Sequence, residues 1–301
     1  MRSSTEVETN LVSVERLEEY RNLPSEAPRF IAETEPPADW PQHGALKFEH
    51  VDAKYRADLP LVAKDVSFEI RAGDRVGVCG RTGAGKSSLT LILYRILELS
   101  AGRVSIDGVD VSRIGLHTLR SRLSILPQDA QSFEGTLREN LDPTGKATDA
   151  QLWAALDKCS LKRHVEGMDG KLDAHVDEGG SNLSQGQRQL MSLGRALLRN
   201  SKILVLDEAT ASVDPETDKE LQKIIRTEFK DCTIFVIAHR IGTILDSDMI
   251  LVMDAGRVAE FASPAELLAN RGSIFSSLAR GSKSAPGTAP ATAPGTPMHK
   301  D

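Results

Sequence analysis

The sequence has only three cysteines, no excess of basic residues and no long apolar run. Cys79, Cys159 and Cys232 are far apart and odd in number, which favours buried structural thiols in a reducing compartment over disulfides or a cysteine-built metal site. Lys and Arg number 37 against 43 Asp and Glu, so the net charge of -6 provides no field that would gather nucleic acid. No stretch approaches the roughly 18 apolar residues of a membrane-spanning helix, and "MRSSTEVETN" lacks the apolar part of a secretory signal. We expect a chain that does not itself span a membrane.

The composition divides the chain into three parts. Residues 1–44 are predicted to form an amphipathic helix, which either lies on its own domain or continues from a segment upstream, and then an extended linker with five prolines. Residues 45–281 alternate apolar strands with helices, which is typical of an α/β core with a mostly parallel sheet. Within this part, "MILVMDAGRVAEF" predicts a hairpin that turns at Ala255 and Gly256. Residues 282–301 are rich in Pro, Ala, Gly and Thr without an apolar face, so we expect a disordered tail.

A glycine-rich loop between an apolar strand and an apolar-periodic helix forms the strongest motif. The glycines at 80, 83 and 85 allow the backbone to bend so that successive N–H groups point at phosphate oxygens. Lys86 would supply a positive charge to the β- and γ-phosphates, and the Ser87 hydroxyl would be a ligand of Mg²⁺. The residues predicted to bind ATP in this phosphate loop are Gly80, Arg81, Thr82, Gly83, Ala84, Gly85, Lys86, Ser87 and Ser88.

Two carboxylates follow a second apolar strand, in "KILVLDEAT". Ligands of parallel sheets gather at the carboxyl ends of the strands, where this pair lies. Asp207 would hold Mg²⁺, directly or through water, and Glu208 would polarise a water molecule in line with the γ-phosphate. Adjacent acids also occur at such junctions without a function, so the interpretation depends on the phosphate loop.

Three further residues fit a hydrolysis site but are weak signals by themselves. Gln128 in "ILPQDAQSF" would bridge the metal ion and water, or else it is an ordinary surface glutamine. His239 in "FVIAHR" would contact the γ-phosphate, or else its ring is satisfied in the core. Tyr55 in "VDAKYRAD" offers a ring on which adenine could stack, or else it packs in the core as a strand aromatic.

A second pattern suited to an anion lies in "SNLSQGQRQL". Ser184 is placed to cap an apolar-periodic helix, and Gly186 follows within its first turn. The free N–H groups and the positive dipole end of such a helix attract negative charge. The pattern alone leaves open which phosphate this second element binds.

Six motifs occur in the order seen in ATP-binding-cassette (ABC) domains, which the sequence resembles over about residues 45–280. They are "GRTGAGKSS", "LPQD", "LSQGQRQL", "ILVLDEAT", "SVD" and "IAHR". The flanking segments "SVERLEEY", "PADWPQHG", "FEGTLRENLDP" and "EFASPAELL" are similar to the second nucleotide-binding domain of the C subfamily, the multidrug-resistance-associated exporters. The resemblance implies an α/β P-loop NTPase fold of the ABC type. This fold has a mostly parallel core sheet, an antiparallel β subdomain and a helical signature subdomain.

The resemblance also implies a partner domain. In the family two nucleotide-binding domains stack head to tail, and each signature helix caps the γ-phosphate held by the other domain. By this analogy Asp214 lies across the seam, and the residues that serve the partner's ATP are Ser184, Gln185, Gly186 and Gln187. Gln185 stands where the broad family has glycine, so this helix is expected to complete a weakened site. The chain's own phosphate loop and Glu208 would then form the working site.

The sequence therefore predicts an ATPase that uses Mg²⁺ and powers substrate export. The resemblance implies that residues 1–22 connect to transmembrane domains absent from this chain, at the cytosolic face of a membrane. The partner nucleotide-binding domain would be identical or non-identical. One alternative is a nucleotide-sensing module of a channel or receptor with little turnover, which Glu208 disfavours. A soluble ABC protein of translation or DNA repair is disfavoured because no second cassette, long coiled coil or basic patch occurs in the sequence.

Overall fold

The structure is a computed structural model that describes residues 2–23, 25–209, 213–238 and 240–283, with the backbone alone for residues 2–9 and 282–283. His239 and the predicted tail from residue 284 onward lie outside the described residues.

The described strands and helices follow the predicted alternation. The strands are β1 Leu46–Ala53, β2 Ala63–Ile70, β3 Arg75–Gly80, β4 Leu99–Ile106, β5 Val109–Asp110, β6 Leu123–Leu126, β7 Gly135–Thr136, β8 His175–Val176, β9 Ile203–Asp207, β10 Thr233–Ile237, β11 Met249–Asp254 and β12 Arg257–Ala262. The α-helices are α1 Arg2–Arg21, α2 Lys86–Leu93, α3 Leu116–Arg122, α4 Leu137–Leu141, α5 Asp149–Lys158, α6 Lys162–Glu166, α7 Gln185–Arg199, α8 Pro215–Glu228, α9 Ile241–Ile244, α10 Pro264–Ala269 and α11 Ile274–Lys283.

The central sheet has the strand order β12-β11-β3-β10-β9-β6, and its neighbouring strands are parallel except for β11 and β12. Strands β9 and β10 are buried almost throughout, which is why their sequences are continuous apolar runs. Ile237 of β10 is in register with Val78 of β3 and with Asp207 of β9. The loops after β3, β10, β9 and β6 therefore leave the sheet side by side. The predicted parallel core is confirmed.

A second sheet, with the order β2-β1-β4-β5, is antiparallel throughout. Buried and accessible residues largely alternate along β2, because one face of this sheet packs on the core. The ring centroid of Phe68 lies 4.4 Å from that of Phe48 on β1 and 6.4 Å from that of Phe235 on β10. These aromatic contacts join the two sheets, and the predicted antiparallel β subdomain is confirmed.

A helical subdomain covers the β6 side of the central sheet. Its longest helix, α7, packs against α4, α5 and β6 through a face that includes Leu190, Leu193 and Ala196. The helix begins after a capping serine, Ser184, and ends before Asn200, which has a left-handed conformation with a φ of 49°. The predicted helical signature subdomain is confirmed.

The predicted linker contains one short 3-10 helix, Ala32–Thr34, and is held against the domain. The backbone N–H of Leu116 at the start of α3 donates to the carbonyl of Pro28 at 3.1 Å. Trp40 is 4% exposed, and its indole Nε1 donates to the carbonyl of Ile106 at 3.0 Å. The segment from residue 26 to residue 40 therefore packs on the edge of the antiparallel sheet and on α3.

The helix α1 presents its apolar residues to solvent. The described side chains of residues 10–21 are all exposed, with Leu11 at 54%, Leu17 at 67% and Tyr20 at 71%. The alternative in which this helix lies on its own domain is therefore wrong for the described side chains. Among the described residues, none of the helices combines the length and apolar character needed to cross a bilayer. At the other end of the chain α11 runs to Lys283, slightly past the predicted domain end at residue 281.

Candidate functional site

The phosphate loop joins β3 to α2 in a conformation that requires glycine. Gly80 has a φ of 147° and Gly85 a φ of 97°, both in the region that L side chains rarely adopt. A Cβ on Gly80 would lie 2.2 Å from the carbonyl oxygen of Met253, and one on Gly85 would lie 2.9 Å from that of Val62. At these two positions the neighbouring backbone therefore leaves room only for glycine.

Lys86, the cation of the phosphate loop, lies beneath the turn of that loop. Lys86 is 6% exposed, and its Nζ donates to the carbonyls of Gly80 at 3.0 Å and Arg81 at 3.1 Å. The cap residue of α2 is Gly85, and no side chain of the described residues caps this helix. Its first N–H groups are thus available to an anion, while the Ser87 side chain is exposed. The arrangement combines a fixed ammonium, a helix N-terminus and an open face.

The turn between β11 and β12 supports the phosphate loop, a contact that the sequence analysis missed. The N–H of Gly256 donates to the carbonyl of Ala84 at 3.1 Å, and the N–H of Lys64 donates to the carbonyl of Gly256 at 2.8 Å. A Cβ on Gly256 would lie 2.7 Å from the carbonyl oxygen of Val62. The predicted hairpin turn at Ala255 and Gly256 was the available signal, but a turn motif does not tell which loop the turn contacts.

Tyr55 lies beside the phosphate loop, in the connection between β1 and β2. Its hydroxyl is 3.0 Å from the hydroxyl of Ser88, which is buried in the first turn of α2. The tyrosine is 53% exposed, so the alternative of a ring packed in the core is wrong. The exposed ring is free to contact a planar ligand, and its contact with adenine stays a prediction.

The two predicted carboxylates lie at the carboxyl edge of the central sheet. Asp207 ends β9, and Glu208 follows it with its backbone N–H donating to the carbonyl of Ile237 at 3.0 Å. Both residues are partly buried. Glu208 has a φ of 50°, a left-handed conformation that costs a non-glycine residue about 1 kcal/mol or more. Such strained residues cluster at functional sites, where the surrounding structure holds them.

Gln128 is brought to the same edge by β6. Leu126, the last residue of β6, is in register with Leu206 of β9, so the loop after β6 begins next to Asp207 and Glu208. The Gln128 side chain is exposed at the surface of this loop. The structure therefore brings together the loops that carry Gln128 and the two carboxylates. The predicted role of His239 falls outside the described residues.

The signature residues form the N-terminus of α7. The hydroxyl of Ser184 accepts from the N–H of Gln187 at 3.2 Å, and the N–H of Ser184 donates to the Gln187 side chain at 2.8 Å. Ser184 is exposed, whereas Gln185 and Gln187 are partly buried. Gly186 is buried, and a Cβ there would lie 2.8 Å from the methyl group of Thr217 on α8. Gly186 therefore allows α7 and α8 to approach closely, which the sequence analysis did not foresee.

Asp214, predicted to lie at a domain seam, caps α8. Its carboxylate accepts from the backbone N–H groups of Thr217 at 3.0 Å and Glu216 at 3.1 Å. The hydrogen bonds from Thr217 hold the pKa of Asp214 below its ordinary value. The residue is exposed, and its place at a seam stays a prediction.

The comparisons with known proteins agree with this geometry. The ABC transporter family profile matches residues 63–211. The chain is 55% identical over 280 residues to the ATP-binding cassette transporter abc2 of Schizosaccharomyces pombe, and 54% identical over 275 residues to ATP-binding cassette sub-family C member 2 of Rattus norvegicus. These alignments cover 93% and 91% of the chain but only 19% and 18% of the two relatives, so the chain spans less than a fifth of their length.

The fold of the chain is also similar to that of a solved structure. The structure of a bacterial Atm1-family ABC exporter with ATP bound matches with a TM-score of 0.81 at 30% sequence identity. The match covers 94% of this chain and 49% of that chain. Both kinds of comparison therefore point to the same family.

Proposed function

Because this chain carries a nucleotide-binding domain of the ABC transporter family, of the type found in the C subfamily, we propose that it hydrolyses ATP to power export across a membrane. One observation carries the proposal. The phosphate loop, the loop with Gln128 and the pair Asp207 and Glu208 leave one parallel sheet at the same edge. Phosphoryl transfer needs mainly positioning and charge neutralisation, which these residues can supply together.

ATP binds with its phosphates in the phosphate loop and its base on Tyr55. The N–H groups of the loop and of the first turn of α2 donate to the phosphate oxygens. Lys86 exchanges its contacts with the carbonyls of Gly80 and Arg81 for the β- and γ-phosphates. The exposed ring of Tyr55 stacks on the adenine, while its hydroxyl keeps the contact with Ser88.

The donor set fits Mg²⁺ as the metal bound with ATP. Ser87, Gln128 and Asp207 offer a hydroxyl, an amide oxygen and a carboxylate, which are hard oxygen ligands. Mg²⁺ commonly keeps several waters and uses one or two protein ligands together with phosphate oxygens. The described residues hold no cluster of three or more His, Cys, Asp or Glu residues suited to a metal. When bound, the metal neutralises charge on the phosphates.

Glu208 acts as the general base toward the attacking water. Its position directly after β9, next to the proposed magnesium ligand Asp207, supports this role. Gln128 orients the same water from the neighbouring loop, and His239 contacts the γ-phosphate. These roles follow the order of motifs in the family.

A second nucleotide-binding domain completes the site. Ser184 and Asp214 are exposed, so both are accessible to a partner. We propose that Ser184, Gln185, Gly186 and Gln187 face the ATP held by the partner, and that Asp214 lies at the seam. The glutamine at position 185 weakens that second site, since the broad family has glycine there. We propose that transmembrane domains connect through the N-terminal segment at the cytosolic face of a membrane, and the apolar residues that α1 exposes are available for contact with them.

The test is ATP hydrolysis by the Glu208→Gln variant. This change keeps the size and hydrogen bonding of the side chain but removes the base, so turnover should fall by about 10²–10⁴-fold while ATP affinity is retained. Phosphate release and calorimetric ATP binding should be measured on the chain assembled with its partner domain. A sensing module with little turnover would instead give the same low phosphate release for wild type and variant.

A further inference from the structure

The loop that follows β6, residues 127–133, is attached to the signature helix α7 by a buried side chain. Gln189 of α7 is 1% exposed, and its Nε2 donates to the carbonyl of Gln128 at 2.8 Å and to the carbonyl of Pro127 at 3.2 Å. Both hydrogens of the amide are therefore used on two successive peptide groups. These peptide groups carry the residue that the proposed function places at the metal ion and the attacking water.

The rest of this loop is held by other residues. Arg195 of α7 donates to the carbonyl of Gln131 at 2.6 Å. Asn140 of α4 donates to the carbonyl of Phe133 at 2.8 Å and accepts from its N–H at 2.9 Å. The far end of the loop therefore has its own anchors, and Gln189 alone among these holds the end that carries Gln128.

The chemistry of Gln189 argues against a simple packing role. Its Oε1 is buried and has no hydrogen-bond partner among the described residues. A buried polar atom without a partner costs stability, and at this position the two hydrogen bonds donated by the same amide offset that cost. The presence of an amide at this position is explained by the two hydrogen bonds that it donates to the peptide groups of the loop.

We propose that Gln189 is a positioning residue for ATP hydrolysis, which fixes the backbone of Gln128 relative to the signature helix. The inference rests on the proposed function, because it assumes that Gln128 acts at the γ-phosphate. Gln189 lies five residues after Ser184, which is about 7.5 Å along the helix axis. A helix is stiff over this distance, so a displacement of α7 caused by the partner's ATP is carried to the backbone of Gln128. One side chain thus links the signature of this domain to its own hydrolysis site.

The attachment itself is tested by amide hydrogen exchange, which needs no turnover. Gln189→Leu removes both donors and keeps an apolar body of similar size. Met191→Leu is the matched control, because Met191 is 2% exposed on the same helix and such a swap conserves volume. Exchange at residues 128–130 should become at least about tenfold faster in Gln189→Leu and stay unchanged in the control, whereas the N–H of Phe133, which Asn140 accepts, should keep its rate in both variants. Equal exchange in both variants would show that Gln189 does not hold the loop.

The positioning role is tested by a double-mutant cycle on the chain assembled with its partner domain. Gln189→Leu should lower kcat about tenfold, equivalent to about 1.4 kcal/mol, and change KM for ATP by less than about twofold. In Gln128→Ala the same change should cause little further loss, because the residue that it positions is absent. Losses that multiply, or a rise of KM equal to the fall of kcat, would overturn the inference.

A third variant separates positioning from folding. In Gln189→Glu the ionised carboxylate has no hydrogen to donate to the two carbonyls, whereas the protonated acid has one O–H donor. Burial favours the protonated form. Its kcat relative to wild type should therefore rise as the pH falls from about 8 to about 6. A flat ratio would contradict the proposal. Wild-type turnover no higher than that of Glu208→Gln would instead overturn the proposed function, and the exchange measurement would still decide whether Gln189 holds the loop.

Discussion

At the scale of single residues, the phosphate loop depends on two glycines for one reason that the motif suggests and for a second that only the structure shows. The motif predicts that Gly80 and Gly85 let N–H groups point inward, and their positive φ values agree with that reasoning. The structure adds that a Cβ at either position would clash with a backbone carbonyl oxygen, that of Met253 on β11 at Gly80 and that of Val62 just before β2 at Gly85. The motif could be identified from the sequence, but the strands that surround it could not, since they are distant in the chain.

Gly80→Ala and Gly83→Ala should therefore differ, although both glycines belong to the same loop. Gly83 has a φ of 79°, but no atom within 4 Å would contact a Cβ there, so alanine should cost only about 1 kcal/mol of backbone strain. At Gly80 the added Cβ would clash with the Met253 carbonyl, and the loss should exceed about 3 kcal/mol. Urea unfolding measures both free energies. Equal losses would contradict the described packing of the loop.

Two buried thiols should make the free energy of unfolding fall as the pH rises into the alkaline range. Burial raises the pKa of Cys79 and of Cys159 from an ordinary value of 9.0 to about 12. Their stabilising contribution is complete below the unfolded pKa and is lost as the pH rises toward the folded pKa. From about pH 8 to about pH 10 each thiol should reduce the free energy of unfolding by about 1.4 kcal/mol. Over this pH range the free energy of unfolding should fall by about 1.4 kcal/mol less in Cys159→Ala than in wild type. An identical fall in both proteins would contradict the burial argument.

At the scale of elements, the sequence patterns predicted where strands and helices lie, but they did not predict which side chains contact each other. Continuous apolar runs predicted the parallel strands β9 and β10, because both faces of the sheet are covered. The pattern could not predict that Gly186 allows α8 to approach α7, or that Gln189 bonds to the carbonyls of Pro127 and Gln128. Periodicity tells which face of an element is buried, whereas the partner of each side chain is set by tertiary packing.

The caps of α7 and α10 allow the structural and functional roles of Ser184 to be separated. Ser184 and Ser263 form the same capping box with the side chain three residues later, and Ser263 lies on a different helix. Replacing either serine with alanine should reduce the free energy of unfolding by about 1 kcal/mol. Only Ser184→Ala should also weaken the ATP-dependent association with a partner domain, measured by light scattering. Equal association of both variants would limit Ser184 to its capping role.

At the scale of the whole molecule, we propose that the two phosphate-binding elements act on different ATP molecules. The loop of residues 80–88 would bind this chain's own ATP, and the N-terminus of α7, where Ser184 is exposed, would contact the ATP of a partner. The order of motifs in the family predicts this division, and it stays a prediction. The docking of residues 26–40 on α3 was not predictable, because a proline-rich segment without periodicity gives no sign of what it contacts.

The most direct test of this central claim compares the ATP affinity of the separate chain among variants that also carry Glu208→Gln, a change that we expect to leave ATP bound. Adding Ser184→Arg places a bulky cation where we propose that the partner's γ-phosphate docks, so ATP-dependent association with the partner domain should be lost. Affinity of the monomer for ATP, measured by calorimetry, should stay close to that of the parent. Adding Lys86→Ala should instead weaken this affinity by about 1.5–3 kcal/mol, since it removes a charge-assisted contact. The account is contradicted if Ser184→Arg impairs the monomer's ATP affinity as severely as Lys86→Ala does.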